Sequence, residues 1–197
     1  MGGILAYLTA SGFAPLTRTY NSGTAATETV PSGASQVTIK VWGGGGGGNT
    51  QNSSPRGGGA GGYSERTIAV VGGNTFTYTV GAAGAAPAST SPSAGGTGGN
   101  SSVSGTVSGG SVSMTANGGG GASATSTVGA GGTASGGVLN ITGGSGVLAE
   151  GGTNSAIGSG AFSGQSPAAG GSGDVSPGLG GLGGTAGAAG RVIFAYT

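Results

Sequence analysis

The clearest period in the chain is two. In Val37–Trp42, Val37, Ile39 and Val41 alternate with Thr38, Lys40 and Trp42, as in a half-buried β-strand. Trp42 shares a face with Lys40 and is placed to cover the residues that follow. Tyr63–Val71 is a second strand candidate. In Thr75–Val80, Thr75, Thr77 and Thr79 take one face and Phe76, Tyr78 and Val80 the other. Gly72-Gly73-Asn74 between them supplies the positive φ of a tight connection, so the pattern predicts a β-hairpin over Tyr63–Val80. Shorter strands are expected at Thr17–Tyr20 and Thr27–Val30, with a turn at Pro31–Ser35. Ser102–Val107 and Ser111–Ala116 read as strands joined by Ser108-Gly109-Gly110, and Arg191–Tyr196 as an apolar closing strand.

What separates these strands is glycine, 54 of 197 residues. Gly43–Gly48 follows Trp42 directly, Gly57–Gly62 precedes Tyr63, and glycine dominates from Asn117 to Gly190. Ordering a glycine costs about 0.5–1 kcal/mol more than ordering an alanine. A folded glycine region therefore needs a large offset. Polyglycine helices with three residues per turn could supply it by bonding backbone to backbone between neighbours. The expected fold is all-β: a small antiparallel sandwich-like frame, a glycine region packed as polyglycine II helices, and no substantial α-helix. Gly81–Asn100 reads as loop, residues 117–190 as the glycine-helix region, with Val138–Ile141 and Gly146–Ala149 as anchors. The C-terminal strand should return to the N-terminal sheet and staple that region at both ends. Residues 1–24 are set apart as an arm from a domain over 25–197. Met1–Leu16 is the most apolar window outside the strands, and reads either as a first element on the core or as a docking arm.

Only 5% of residues are charged, with a net charge of +1. There is no Cys and no His, which excludes disulfides, zinc sites, thiol nucleophiles and imidazole bases. Gly178–Gly183 matches a dinucleotide-binding spacing without its strand–turn–helix context. Gly170–Asp174 resembles one calcium-binding repeat, but the four acids Glu28, Glu65, Glu150 and Asp174 are far apart in sequence. Spacing alone leaves a carboxylate pair open, and nothing supports one. Arg18, Lys40, Arg56, Arg66 and Arg191 are scattered, which gives no basic footprint for nucleic acid. The Thr75-x-Thr77-x-Thr79 ladder would suit an ice-binding face only if such rows repeated. No apolar run reaches the roughly 20 residues of a membrane helix. The N-terminus lacks the charge of a signal peptide, and Ala6 departs from a myristoylation site. No enzyme activity, cofactor or metal is expected.

Three segments in order carry a family resemblance: Thr29–Gly48 (TVPSGASQVTIKVWGGGGGG), Gly61–Val71 (GGYSERTIAVV) with Thr75–Gly81 (TFTYTVG), and a glycine-laden end before Arg191–Phe194 (RVIF). Together they resemble the glycine-rich domain of many bacteriophage tail and virion proteins, over roughly residues 25–197. The resemblance implies a non-enzymatic virion protein: a tail-fibre or tail-tip adhesin whose loops between glycine motifs touch the host. The alternative it implies is a capsid decoration protein, of cement or head-fibre type, docked by Met1–Leu16 or by the sheet. Implied partners are other tail or capsid proteins and a host glycan or outer-membrane protein, without nucleic acid or membrane insertion. Phage appendages are often trimers, so a homotrimer is among the assemblies implied. As receptor contacts the resemblance points to polar and aromatic loop residues: Asn49, Gln51, Asn52 and Arg56, with Phe162 and Gln165 from a later loop. A flat aromatic face suits a sugar ring, although Phe162 capping a glycine bundle is the stronger reading of that residue. The chain has no repeated shaft and only a short arm, so tail tip, short fibre and capsid decoration all stay open.

Overall fold

A computed structural model describes residues 12–50, 55–88, 92–148, 180 and 184–197. Ten strands form two five-stranded antiparallel sheets, and no helix occurs among the described residues. The first sheet has the order β1 (Leu16–Tyr20), β10 (Arg191–Tyr196), β3 (Gln36–Trp42), β4 (Tyr63–Ala69) and β9 (Leu139–Ile141). The second has the order β2 (Ala26–Thr29), β5 (Thr75–Thr79), β6 (Ser101–Val107), β7 (Gly110–Ala116) and β8 (Ala134–Ser135).

The alternation read from the sequence decides which side chains meet between the sheets. Val37, Ile39, Val41, Val192, Phe194 and Tyr196 come from the first sheet. Phe76, Tyr78, Val103, Val112 and Met114 come from the second, and all are buried. Phe194 sits in the middle, with Phe76 at a ring separation of 5.5 Å and Tyr78 at 6.1 Å. The outward set of the second sheet is hydroxyl throughout: Thr27, Thr77, Ser104 and Ser113 lie side by side across four strands. Trp42 and Tyr63 oppose each other on the outer face of the first sheet, 4.8 Å apart, with Ile141 and Ile193 packed beside them.

β10 does return to the N-terminal sheet, where it lies between β1 and β3 (Leu16↔Tyr196, Val192↔Val41). The β6–β7 hairpin also forms, closing at Val107↔Gly110 with Gly110 at φ +118°. The hairpin expected over Tyr63–Val80 does not. β4 pairs with β3 and β9, whereas β5 pairs with β2 and β6. The turn itself is tight, since Asn74 N–H donates to Val71 O at 3.0 Å and Gly73 has φ +87°. Its flanking strands nevertheless diverge. Val70 N–H bonds Ser35 O, and Asn74 O accepts from Val30 N–H. The turn is an arch between sheets, because Ile68 and Val70 on one side and Phe76 and Tyr78 on the other all serve one inter-sheet core.

The stretch set apart as residues 1–24 divides. Residues 1–11 lie outside the described residues, while Leu16–Tyr20 is the edge strand β1, with Phe13 packed against the core. β1 and β2 are the adjacent edges of the two sheets, and a buried carboxylate ties them. Glu28 accepts from Arg18 Nη1 at 2.8 Å, Tyr20 Oη at 2.5 Å and Tyr196 Oη at 2.7 Å. It is 2% exposed. Burial, then the Glu28 contact, pushes the Tyr20 phenol up to about 12, and the same causes raise Tyr196. Burial also raises Tyr78 and, with Glu65 beside it, Tyr63. A phenol whose folded value lies above its unfolded value of about 10 stabilises the fold fully below pH 10. That contribution is lost as pH climbs through the folded value, for Tyr20 between about 10 and about 12. Thermal midpoints are therefore expected to hold up to pH 10 and fall steeply above it, with phenolate absorbance rising in the same window.

Candidate functional site: the distal end of the glycine bundle

Four times the chain leaves one end of the sandwich, runs out through glycine and comes back. The excursions are residues 43–62 between β3 and β4, 80–100 between β5 and β6, 117–133 between β7 and β8, and 142–190 between β9 and β10. Their hydrogen bonds have a period of three. The N–H groups of Gly43, Gly46 and Asn49 donate to the carbonyls of Gly62, Gly59 and Arg56. Those of Gly44, Gly47 and Thr50 donate to Gly99, Gly96 and Ser93, and those of Gly45 and Gly48 to Ala188 and Thr185. Three successive residues thus bond three different neighbours, all antiparallel, at 2.8–3.0 Å. The carbonyls of Gly44 and Gly47 accept in turn from Gly119 and Ala122, which run parallel. This is the polyglycine II pattern: no bonds within a helix and lateral bonds to several others.

The bundle is wider than residues 117–190. Gly43–Thr50 is its central helix, and Gly81–Asn100, read from sequence as loop, supplies two more: Gly96 and Gly99 donate to Ala85 and Ala82. Close approach is what glycine provides here. A Cβ on Gly46 would stand 2.0 Å from Gly120 O, and one on Gly47 2.1 Å from Ala85 O.

Described residues of several excursions meet at Asn49. Its Nδ2 donates to Ser123 O at 2.9 Å and Ala124 O at 3.1 Å, and its Oδ1 accepts from Arg56 N–H at 2.7 Å. Its own carbonyl accepts from Gly184 N–H. Thr50 pairs with Ser93, and Arg56 with Leu148. One residue thus binds its own excursion, the third and the fourth, while its neighbour Thr50 binds the second. All four excursions therefore bring described residues together at one end of the bundle, opposite the end where Phe13 meets Gly33 and Ser35 meets Thr197.

The six residues expected at a receptor surface fare differently. Asn49 is fully buried with its amide groups all bonded, so its expected surface role is corrected to a structural one. Arg56 is half-buried at the same end. Gln51, Asn52, Phe162 and Gln165 lie outside the described residues. Nothing in the sequence distinguished Asn49 from Asn52. Both are amides shortly after a glycine run, and only the register of the helix turns Asn49 inward. Asn49→Ala is expected to cost about 2–3 kcal/mol, because it removes three part-buried hydrogen bonds, with Arg56 N–H and the carbonyls of Ser123 and Ala124. Chemical denaturation would show it as a shifted midpoint with an unchanged slope.

Among the described residues no three acidic, His or Cys side chains gather as a metal site, and no helix is long and apolar enough to cross a membrane. These features define an all-β protein carrying a polyglycine bundle. The chain belongs to the glycine-rich domain family, whose model matches residues 19–197. A comparison with curated proteins gave no match.

Proposed function

We propose that this chain is a non-enzymatic bacteriophage virion protein that recognises the host surface from the tail through the distal end of its glycine bundle. The supporting observation is the convergence of four excursions at one end, away from the end holding Phe13 and Thr197. Glycine helices bonded on several sides form a rigid platform. The connecting residues at its tip can then vary without disturbing the frame, a division of labour common to binding proteins. The resemblance over Thr29–Gly48, Gly61–Gly81 and Arg191–Phe194 supplies the virion context.

On this reading Gln51 and Asn52, which follow Thr50 in sequence, supply the first excursion's receptor contacts. Phe162 and Gln165 belong to the excursion whose described flanks, Leu148 and Gly184, adjoin Arg56 and Asn49. The partners are a host glycan or outer-membrane protein at the tip and other virion proteins elsewhere. Alanine substitution at Gln51, Asn52, Phe162 and Gln165 is expected to reduce adsorption of purified protein to host cells while leaving thermal unfolding unchanged. Gold-labelled antibody should mark the tail tip. Label over the head, with adsorption unaffected by the four substitutions, would replace this reading with a capsid decoration role.

A further inference from the structure

Where the edges of the two sheets adjoin, a pair of phenols faces across the gap. Tyr20 on β1 belongs to the first sheet and Tyr78 on β5 to the second. Their rings stack, with centroids 4.4 Å apart and planes inclined at 30°. Phe194 meets both edge-on, at 6.2 Å and 6.1 Å, and so holds the stack from the core side. Tyr78 is buried, while Tyr20 lies on an edge strand and is half-buried.

The Tyr20 hydroxyl donates to the buried Glu28 carboxylate at 2.5 Å. A phenol gives up an electron more readily when its proton has a base to move to in the same step, and a carboxylate at hydrogen-bond distance is such a base. Tyr196 also donates to Glu28, but it is fully buried and the ring stacked on it is Phe194, which has no hydroxyl. Tyr20 thus combines a proton acceptor, an opening to solvent and a second phenol in face contact.

We propose that Tyr20 and Tyr78 are an oxidative cross-linking site, at which hydrogen peroxide, acting through a one-electron oxidant of the haem-peroxidase class, joins the two sheets by a carbon–carbon bond. Oxidation of Tyr20 sends one electron to the oxidant and the phenol proton to Glu28. The second electron leaves Tyr78 by way of the stacked Tyr20 ring, and the Tyr78 phenol proton passes to water. The two radicals pair at ring carbons next to the hydroxyls. The p orbitals of those carbons stand perpendicular to each ring, so facing rings present them to one another. Each joined carbon then loses its hydrogen as a proton and each oxygen regains one, Tyr20 from Glu28, which restores both phenols. The pair has lost two electrons and two protons, and hydrogen peroxide takes these up to give two waters. The bond ties β1 to β5 in a chain whose lack of Cys rules out a disulfide.

Treating the dilute full chain with hydrogen peroxide and a haem peroxidase tests this. The single-copy fraction is expected to gain dityrosine fluorescence. Trypsin, cutting after Arg18, Lys40, Arg66 and Arg191, should then release Thr19–Lys40 joined to Thr67–Arg191, two hydrogens lighter than the separate peptides. Each of these peptides holds a single tyrosine, so the linked mass identifies the pair. The linked chain should melt at a higher temperature than the untreated one, because a covalent tie restricts the unfolded state. Tyr78→Phe keeps the stacked ring and should abolish the linked peptide. Glu28→Gln, whose amide cannot take up the proton, should slow its formation by about tenfold or more at a temperature where the variant is folded. No linked peptide in the parent chain, or fluorescence confined to joined copies or to peptides holding the other tyrosines, would overturn the proposal. An unchanged rate in Glu28→Gln would overturn the role given to Glu28.

Discussion

Gly46→Ala is expected to lower the thermal midpoint by about 10 °C, from a loss of about 3 kcal/mol or more. The added Cβ would stand 2.0 Å from the carbonyl oxygen of Gly120 and 2.4 Å from its carbon. Neither atom belongs to a side chain that can swing away. Gly120 donates to Ala130, and Gly46 donates to Gly59, whose own N–H reaches Gly120. Moving any of these backbones breaks lateral bonds in a second helix, so the cost exceeds that of a crowded side chain in an ordinary core. Ala60 makes the contrast within the same bundle: it is fully buried and accommodated as alanine. The requirement is thus set by where each Cβ would point. Gly12→Ala, which meets nothing within 4 Å, is the control and should stay within about 0.5 kcal/mol of the parent. Circular dichroism melts of the two variants side by side would show it. Equal melts would mean that the bundle contributes little to the stability of the frame.

Glu28→Ala should be about as damaging, at about 3 kcal/mol. Removing one member of a buried, hydrogen-bonded ion pair usually costs more than the pair contributes, because the remaining groups are left unpaired. Here they would be the hydroxyls of Tyr20 and Tyr196 and the Arg18 guanidinium. Arg18 is 39% exposed, so water takes up part of its charge and keeps the loss toward the lower end of that range. Glu28→Gln keeps the shape and an acceptor while removing the charge, and should lose roughly half as much. The tyrosines report the same event spectroscopically. Glu28 contributes both a hydrogen bond and a charge to the raised Tyr20 phenol. In Glu28→Gln the phenolate absorbance should therefore rise at lower pH than in the parent. An unchanged alkaline titration would show that burial alone sets the Tyr20 value.

The strands were legible because alternation is a local signal. Val37, Ile39 and Val41, or Phe76 and Tyr78, declare their buried face whatever the rest of the chain does. Sheet membership was not. Gly72-Gly73-Asn74 carries the residues of a tight turn, and a tight turn forms. Whether its strands pair or part depends on Ser35 and Val30, more than thirty residues away. Gly81–Asn100 was read as loop for a similar reason. A glycine helix makes no bonds of its own, so its sequence looks like a flexible linker until residues 44, 47 and 50 donate to its carbonyls. Glu28 gave no sign of burial either, since its partners come from residues 18, 20 and 196.

By itself the sequence determined the strand faces, the β-class of the frame, the return of the last strand and the need for glycine to pack against backbone. Each follows from periodicity or from the absence of a side chain, properties that a residue carries wherever it lies. Tertiary structure alone decided which strands share a sheet, that the central helix of the bundle is Gly43–Thr50, and that Asn49 points inward to hold the distal end. The physical reason is common to all three: lateral backbone hydrogen bonds between distant segments leave no trace in the local sequence, because every residue but proline carries the same N–H and C=O.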